Sequence, residues 1–124
     1  DSAVISWSDT LVRQTSLRGI PTAFANVVAF ITELRLGIDL ADFDWLARAE
    51  ELDVPMLLLN GVDDTFVPPE DSEQLAAQRP DIATYEGFDG AQHVRPWNVE
   101  PERYEALVEE FLSSVAVGAP ASTG

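Results

Sequence analysis

The sequence predicts the α/β fold class, as one end of a three-layer, doubly wound parallel sheet. The run "MLLL" at residues 56–59 is continuously apolar between Pro55 and Gly61, a pattern typical of a strand covered by helices on both faces. From residue 55 onward the patterns alternate as strand, helix, strand, helix, which implies parallel strands with right-handed crossovers. Because two or three strands do not make a stable sheet with covered faces, we expect the rest of the sheet to lie elsewhere.

Residues 1–53 are predicted to hold the end of a core strand followed by a helical insertion. The β-branched run "AVISW" at residues 3–7 indicates the strand end, and a polar stretch follows it. A helix is predicted between Pro21 and Gly37, because proline favours a first helical turn and glycine the residue just past a helix end. A second short helix is predicted from Asp42 or Asp44 through residue 52. The first helix has apolar residues at helical spacing: Phe24, Val27, Val28, Ile31 and Leu34.

Residues 54–117 are predicted to hold the strand–helix–strand–helix core. After the strand at residues 56–59, "PPEDSEQLAAQRP" reads as a helix with an acidic first turn that stops at Pro80. "IATYEGF" at residues 82–88 is a second short strand. "EPERYEALVEEFLSSV" at residues 100–115 is a helix with one apolar stripe, and residues 118–124 are predicted to be a flexible tail.

Composition excludes several classes of function. Acidic residues number 22 against 7 basic ones, a net charge of −15, which predicts no binding to nucleic acid or to an anionic membrane. The chain has no cysteine and one histidine, so thiolate and multi-histidine metal sites are excluded, and we expect no cofactor and no metal. No apolar run reaches the ~18 residues of a membrane span and no signal sequence is visible, so we expect a cytoplasmic protein. The acidic, lysine-free composition is typical of salt-adapted or high-GC bacteria.

Two loops follow the two predicted strands of the core. These are "NGVDDTFVP" at residues 60–68 and "DGAQHVRPW" at residues 89–97. The carboxyl ends of neighbouring parallel strands lie about 4.8 Å apart at one edge of the sheet, where side chains of both loops can meet. An aspartate of the first loop would accept a hydrogen bond from one ring nitrogen of His93 and fix its tautomer. The other nitrogen would then be able to take a proton from a nucleophile.

The motifs "VPMLLLNGVDDTFVP" and "GAQH" resemble the C-terminal portion of the α/β-hydrolase family, which has the patterns H-G-x-x-D-x-x-V-P and G-x-x-H there. The resemblance implies that Asp64 is the acid of a catalytic triad and His93 its base, with Asp63 as the alternative acid. It also implies that residues 1–53 include the lid-side insertion of the fold. The continuation "HVRPWNVEPERY" is similar to a bacterial subgroup of esterase-like and serine-peptidase-like hydrolases.

The chain departs from the family pattern at the nucleophile. No G-x-S-x-G elbow occurs, and none of the serines before Asp64 (Ser2, Ser6, Ser8 and Ser16) has that context. A smaller departure is Asn60, where the family usually has histidine. The resemblance therefore implies a segment of a serine hydrolase that cleaves small-molecule esters, thioesters or amides by acyl transfer, inactive alone. Its partner would be the missing N-terminal half of the fold or another copy of the chain.

Other interpretations of the same residues stay open. The parent could be a hydrolase with an aspartate nucleophile, of the dehalogenase or epoxide hydrolase type, or the chain could be a non-catalytic binding or assembly module. His93 could be an ordinary loop histidine, and Asp64 could simply cap its turn. The apolar stripe from Phe24 to Leu36 could line an acyl pocket, although core packing is the simpler explanation; Trp45 and Trp97 also fit packing roles best.

Overall fold

The computed structural model describes residues 1–118 and contains five α-helices and two strands within that range. The flexible tail expected at residues 118–124 lies almost entirely outside the described residues. The elements are α1 (Trp7–Leu17), α2 (Thr22–Leu36), two 3-10 helices (Leu40–Phe43 and Ala49–Glu51), β1 (Met56–Gly61), α3 (Pro69–Gln78), β2 (Ala83–Phe88), α4 (Pro96–Val99) and α5 (Pro101–Gly118).

Strands β1 and β2 form a two-stranded parallel sheet, as the alternating pattern predicts. Met56 lies opposite Ala83 at one end and Gly61 opposite Phe88 at the other. Helix α3 makes the crossover between them, and it is the acidic, proline-started helix expected from the sequence. The observed architecture is therefore mixed α/β with a two-stranded parallel sheet, consistent with a partial α/β fold.

The sheet has a hydrophobic cluster on each face. On one face Leu58 packs with Leu75 of α3 and with Ile5 and Ala49. On the other face Leu59 and Phe88 pack with Ala91 and with side chains of α5. Successive residues of a strand point to opposite faces, so the alternation of Leu58 and Leu59 places one leucine in each cluster. Helix, sheet and helix thus form three layers around β1 and β2.

Helix α2 has the predicted ends, but its apolar stripe is not packed in a core as the simpler explanation of that stripe expected. Pro21 is its N-cap, and Gly37 terminates it with φ of 67°, a left-handed conformation that glycine adopts without steric cost. The apolar stripe does not form a core among residues 1–118, because Phe24 is 60% and Leu34 is 75% exposed. Within the described part of the chain no helix, α2 included, has the length and apolarity that a membrane crossing requires.

The N-terminal segment differs from the expected strand end. Residues 3–7 form no strand; Ser6 makes an isolated antiparallel bridge with Asp44, and the Ser2 N–H donates to the Leu59 carbonyl at 2.8 Å. Helix α1 then begins at Trp7, where the sequence indicated only a polar stretch. Its signal was the S-x-x-D pattern, because the Ser6 hydroxyl accepts a hydrogen bond from the Asp9 N–H.

The second predicted helix, from Asp42 or Asp44 through residue 52, is wrong. Two short 3-10 helices separated by a turn occupy this segment. Asp44 pairs with Ser6, and the Trp45 N–H donates to the Ile5 carbonyl at 3.0 Å. These hydrogen bonds to the N-terminal segment hold the backbone of this segment in an irregular conformation. The backbone groups that make them have their hydrogen-bond partners there and not within a helix. The interruption comes from a contact that is distant in sequence.

Candidate active site

Asp64 and His93 lie together where β1 and β2 end. Asp64 is the third residue after β1 and His93 the fifth after β2, and the two loops meet at the carboxyl edge of the sheet. His93 Nδ1 is 2.9 Å from Asp64 Oδ2, within hydrogen-bond distance. Asp63, the alternative acid, has an exposed side chain and contributes its backbone N–H instead, which donates to the Ala91 carbonyl. The structure thus brings His93 to Asp64 rather than to Asp63.

The Asp64 carboxylate is buried and fully engaged. Its Oδ1 accepts hydrogen bonds from the Phe66 N–H at 2.8 Å and the Val67 N–H at 2.9 Å, and its Oδ2 faces His93. Burial is the largest single influence and raises the pKa of Asp64, but the hydrogen bonds from Val67, His93 and Phe66 together outweigh it. The pKa of Asp64 therefore lies below its ordinary value, and the group is an anion at neutral pH. A residue that orients a histidine side chain by a hydrogen bond has to be an anion held in a fixed position.

Gly61 allows the two loops to approach each other. A Cβ at this position would lie 2.3 Å from the Ala91 carbonyl oxygen, too close for any side chain. Two backbone hydrogen bonds follow from the approach: the Val62 N–H donates to the Phe88 carbonyl and the Asp63 N–H to the Ala91 carbonyl, both at 3.0 Å. Glycine is thus required as the last residue of β1, because the Ala91 backbone occupies the space that a side chain would need.

The His93 imidazole is supported on one face by an aromatic ring. The ring centroids of Phe66 and His93 are 4.9 Å apart with an interplanar angle of 43°. The His93 side chain remains 39% exposed, and its Nε2 forms no hydrogen bond with any of residues 1–118. Phe66 is not among the residues that the sequence patterns predict for the site; its position two residues after Asp64, inside the same turn, is the only signal that could have indicated it.

None of the four candidate serines is hydrogen-bonded to the imidazole. Ser6 caps α1, and Ser8 and Ser16 are exposed on that helix. Ser2 is 6% exposed, and its Oγ accepts a hydrogen bond from the Val94 N–H at 3.1 Å. No group of three or more histidine, aspartate or glutamate side chains in the part of the chain that the structure describes is placed to hold a metal ion. The site as described is therefore an acid–imidazole pair without a nucleophile.

An apolar cavity of about 370 Å³ lies among α1, α2 and the first 3-10 helix. The hydroxyl of Thr32 donates to the Val28 carbonyl, so the one polar side chain of the lining offers no free donor. Helix α1 also contacts the loop of the acid, because Gln14 Nε2 donates to the carbonyls of Thr65 and Phe66 at 3.1 Å. The cavity is lined by Trp7, Leu11, Val28, Thr32, Leu36, Ile38, Leu40 and Phe43.

Comparison with known proteins gives a likeness among solved structures. No protein-family model matches the chain. No curated protein matches it either. Among solved structures, the chain is similar to an esterase from Pyrococcus furiosus, with 27% sequence identity and a TM-score of 0.53. The similarity covers 89% of this chain but 41% of the esterase chain, so the chain spans less than half of that protein's length. The likeness supports an esterase-like α/β fold.

Proposed function

We propose that this chain supplies the acid and the base of a hydrolase active site of the α/β-hydrolase type. Asp64 orients His93, and His93 transfers protons to and from a serine nucleophile that another part of the enzyme contributes. The observation that carries the proposal is the 2.9 Å contact between His93 Nδ1 and a buried carboxylate at the ends of two parallel strands. The likeness to an esterase supports hydrolysis of carboxylic esters as the class of reaction.

The chemistry follows from which ring nitrogen of His93 is hydrogen-bonded to Asp64. With Nδ1–H donating to Oδ2, Nε2 carries the lone pair and can accept the proton of a serine hydroxyl. The serine oxygen then bonds to the carbonyl carbon of the ester, and the Asp64 anion stabilises the imidazolium that forms. Nε2–H returns the proton to the departing alcohol, which leaves an acyl-enzyme. Water repeats the same sequence, releasing the acid and the free serine.

The nucleophile is proposed to lie outside this chain. The pattern G-x-S-x-G is absent from the sequence, and no serine hydroxyl of residues 1–118 contacts the imidazole. The remaining half of the fold, or a second copy of the chain, would contribute the serine and the groups that bind the oxyanion. The substrate is a small-molecule ester, thioester or amide.

The apolar cavity beside α1 favours substrates with an apolar acyl group. The lining consists of seven largely apolar side chains and one threonine whose hydroxyl hydrogen is already donated, so it offers few partners to a polar group. Gln14 joins the same helix to the turn that holds Asp64, so the cavity and the acid–imidazole pair share one support. We therefore propose that esters with aliphatic acyl chains are better substrates than acetate esters.

Substitutions in the complete enzyme test the proposal with a p-nitrophenyl ester. His93→Ala should abolish turnover, and Asp64→Asn should reduce kcat by about 10⁴-fold because the imidazole then takes the wrong tautomer. Asp63→Asn, one residue away and exposed, is the matched control and should leave kcat within about 2-fold of the parent. Full turnover by His93→Ala would refute the proposal. A larger loss for Asp63→Asn than for Asp64→Asn would move the acid to Asp63.

A fluorophosphonate probe separates the possible classes of nucleophile. Such a reagent phosphonylates a serine that a histidine activates, so labelling should occur and should disappear in His93→Ala. Turnover without labelling would indicate an aspartate nucleophile instead. Neither turnover nor labelling would indicate a binding or assembly module.

A further inference from the structure

The residue directly after His93 has an unusual backbone conformation. Val94 has φ of 53°, in the left-handed region that β-branched residues rarely adopt because the Cβ and the carbonyl oxygen crowd each other. Such a conformation persists only where surrounding contacts hold it. Because Val94 and His93 share a peptide bond, the path of the chain at Val94 determines where the imidazole is presented. Something must therefore keep this part of the loop in place.

Two hydrogen bonds hold it: the Arg95 N–H donates to the Gln92 carbonyl at 3.1 Å across the turn, and Ser2 is the side chain that binds Val94 itself. The Oγ of Ser2 accepts the Val94 N–H at 3.1 Å, and Ser2 is only 6% exposed. The backbone N–H of Ser2 donates in turn to the Leu59 carbonyl of β1 at 2.8 Å. Ser2 therefore joins the strand that precedes Asp64 to the loop that carries His93. It makes this connection through one backbone group and one side-chain group.

The Ser2 hydroxyl is engaged in both directions. It accepts from Val94 and donates its own hydrogen to Asp1 Oδ1 at 3.3 Å, and the imidazole is not among its partners. Ser2 is also itself in the left-handed region, with φ of 47°. These contacts describe a support, not a nucleophile.

We propose that Ser2 is a positioning residue for His93, acting through the Val94 N–H. It holds the strained loop so that the imidazole contacts both the Asp64 carboxylate and the Phe66 ring. The kinetic part of this inference rests on the proposed function. Loss of the hydroxyl frees Val94 to relax towards negative φ, which moves the peptide that carries His93 and lengthens the 2.9 Å contact to Asp64.

Kinetics of the full-length protein provide the first test. Ser2→Ala should lower kcat roughly 10- to 100-fold, since a displacement of ~1 Å at a reacting group has effects of this size. KM should stay within about 2-fold, because Ser2 binds the loop and not the substrate. Ser2→Gly should behave like Ser2→Ala, because glycine accepts the positive φ but lacks the hydroxyl. Ser113→Ala, at an exposed position on α5, is the control and should change neither constant.

A double-mutant cycle with Val94→Gly tests the route of the effect. Glycine adopts positive φ without strain, so in the Val94→Gly background the loop has little reason to relax. Ser2→Ala should therefore cost at least 5-fold less in kcat in that background than in the parent. Equal losses in both backgrounds would show that Ser2 does not act through Val94 and would overturn the inference.

The Nδ1–H proton of His93 gives a readout that does not depend on turnover. In the parent, its NMR resonance should be shifted downfield by the hydrogen bond to Asp64, and in Ser2→Ala it should move upfield or broaden. An unchanged resonance and unchanged kcat in Ser2→Ala, with His93→Ala inactive, would overturn the positioning role alone. If His93→Ala is fully active, the proposed function fails, and the resonance still decides whether Ser2 positions the ring.

Discussion

Replacing Asp71 with asparagine should stabilise the protein at neutral pH. Asp71 lies in the first turn of α3, is 8% exposed, and its Oδ2 has no hydrogen-bond partner among residues 1–118. Burial contributes most to raising its pKa, followed by the negative charges of Asp9, Glu70 and Asp44, and Arg13 opposes them. Together they raise the pKa of Asp71 from 3.8 to about 6. The folded protein therefore carries an unfavourable buried charge at pH 7.

The size of the effect follows from the two pKa values. A rise of about two units at 1.36 kcal/mol per unit corresponds to about 3 kcal/mol between the protonated and ionised forms. The folded state binds the proton more tightly, so this stabilisation is complete below about pH 3.8 and is lost as the pH rises through about 6. Asparagine keeps the shape and removes the charge. After subtracting up to ~1 kcal/mol for the lost helix-dipole interaction, the gain in unfolding free energy should be about 2 kcal/mol at pH 7.

Urea unfolding at pH 7 and pH 4 measures this difference directly. At pH 4 the parent aspartate is already protonated in the folded state, so the gain should fall below about 0.5 kcal/mol. Glu73→Gln, an exposed acidic position on the same helix, is the matched control and should change the free energy by less than about 0.5 kcal/mol at either pH. A gain of the same size at both pH values would refute the electrostatic reasoning. So would no gain at pH 7.

Three further predictions concern packing and association. Gly61→Ala should separate the two loops and cost more than about 3 kcal/mol of stability, because the new Cβ meets the Ala91 backbone. Gly87→Ala should cost less, because its Cβ meets only side-chain atoms. Equal melting temperatures for the two variants would contradict this prediction. Leu75→Ala should cost about 2–5 kcal/mol in urea unfolding because the side chain is 1% exposed, whereas Leu112→Ala, at 60% exposure, should cost under ~1 kcal/mol. The 124-residue chain alone should associate in size-exclusion chromatography with light scattering, because the sheet formed by residues 1–118 has two strands and the apolar face of α2 is exposed. A monodisperse monomer with a sharp melt would contradict that last expectation.

The parts of the fold that the sequence predicts are those with local signals. The apolar run of β1, the proline starts of α3 and α5, and the glycine that ends α2 each identify an element without reference to the rest of the chain. The approach of Asp64 and His93 was predictable for a related reason. Two strands joined by a helix are parallel, and parallel strands bring the residues after their carboxyl ends to one edge.

What the sequence did not predict depends on contacts between distant residues. The bonds of Ile5 and Ser6 to residues 44–45 replace the second expected helix, and no pattern within residues 42–52 indicates them. Ser2 and Val94 are 92 positions apart, so their hydrogen bond has no local signature. Periodicity identified an apolar face on α2 correctly but could not show whether any part of the chain covers it. Helix α1 was missed although its capping pattern is local.

The two buried aspartates respond to acid in opposite directions, and this difference matters for the candidate site. Hydrogen bonds hold the pKa of Asp64 below 3.8, so its stabilising contribution is present above that value and disappears only as the pH falls through the lower, folded-state pKa. The pKa of Asp71, raised to about 6, means that protonation there begins at much milder acidity. Between pH 6 and pH 4, acidification therefore relieves the buried charge at the start of α3 while the carboxylate facing His93 remains ionised. Loss of activity in that range would therefore not come from protonation of Asp64, the acid partner of His93.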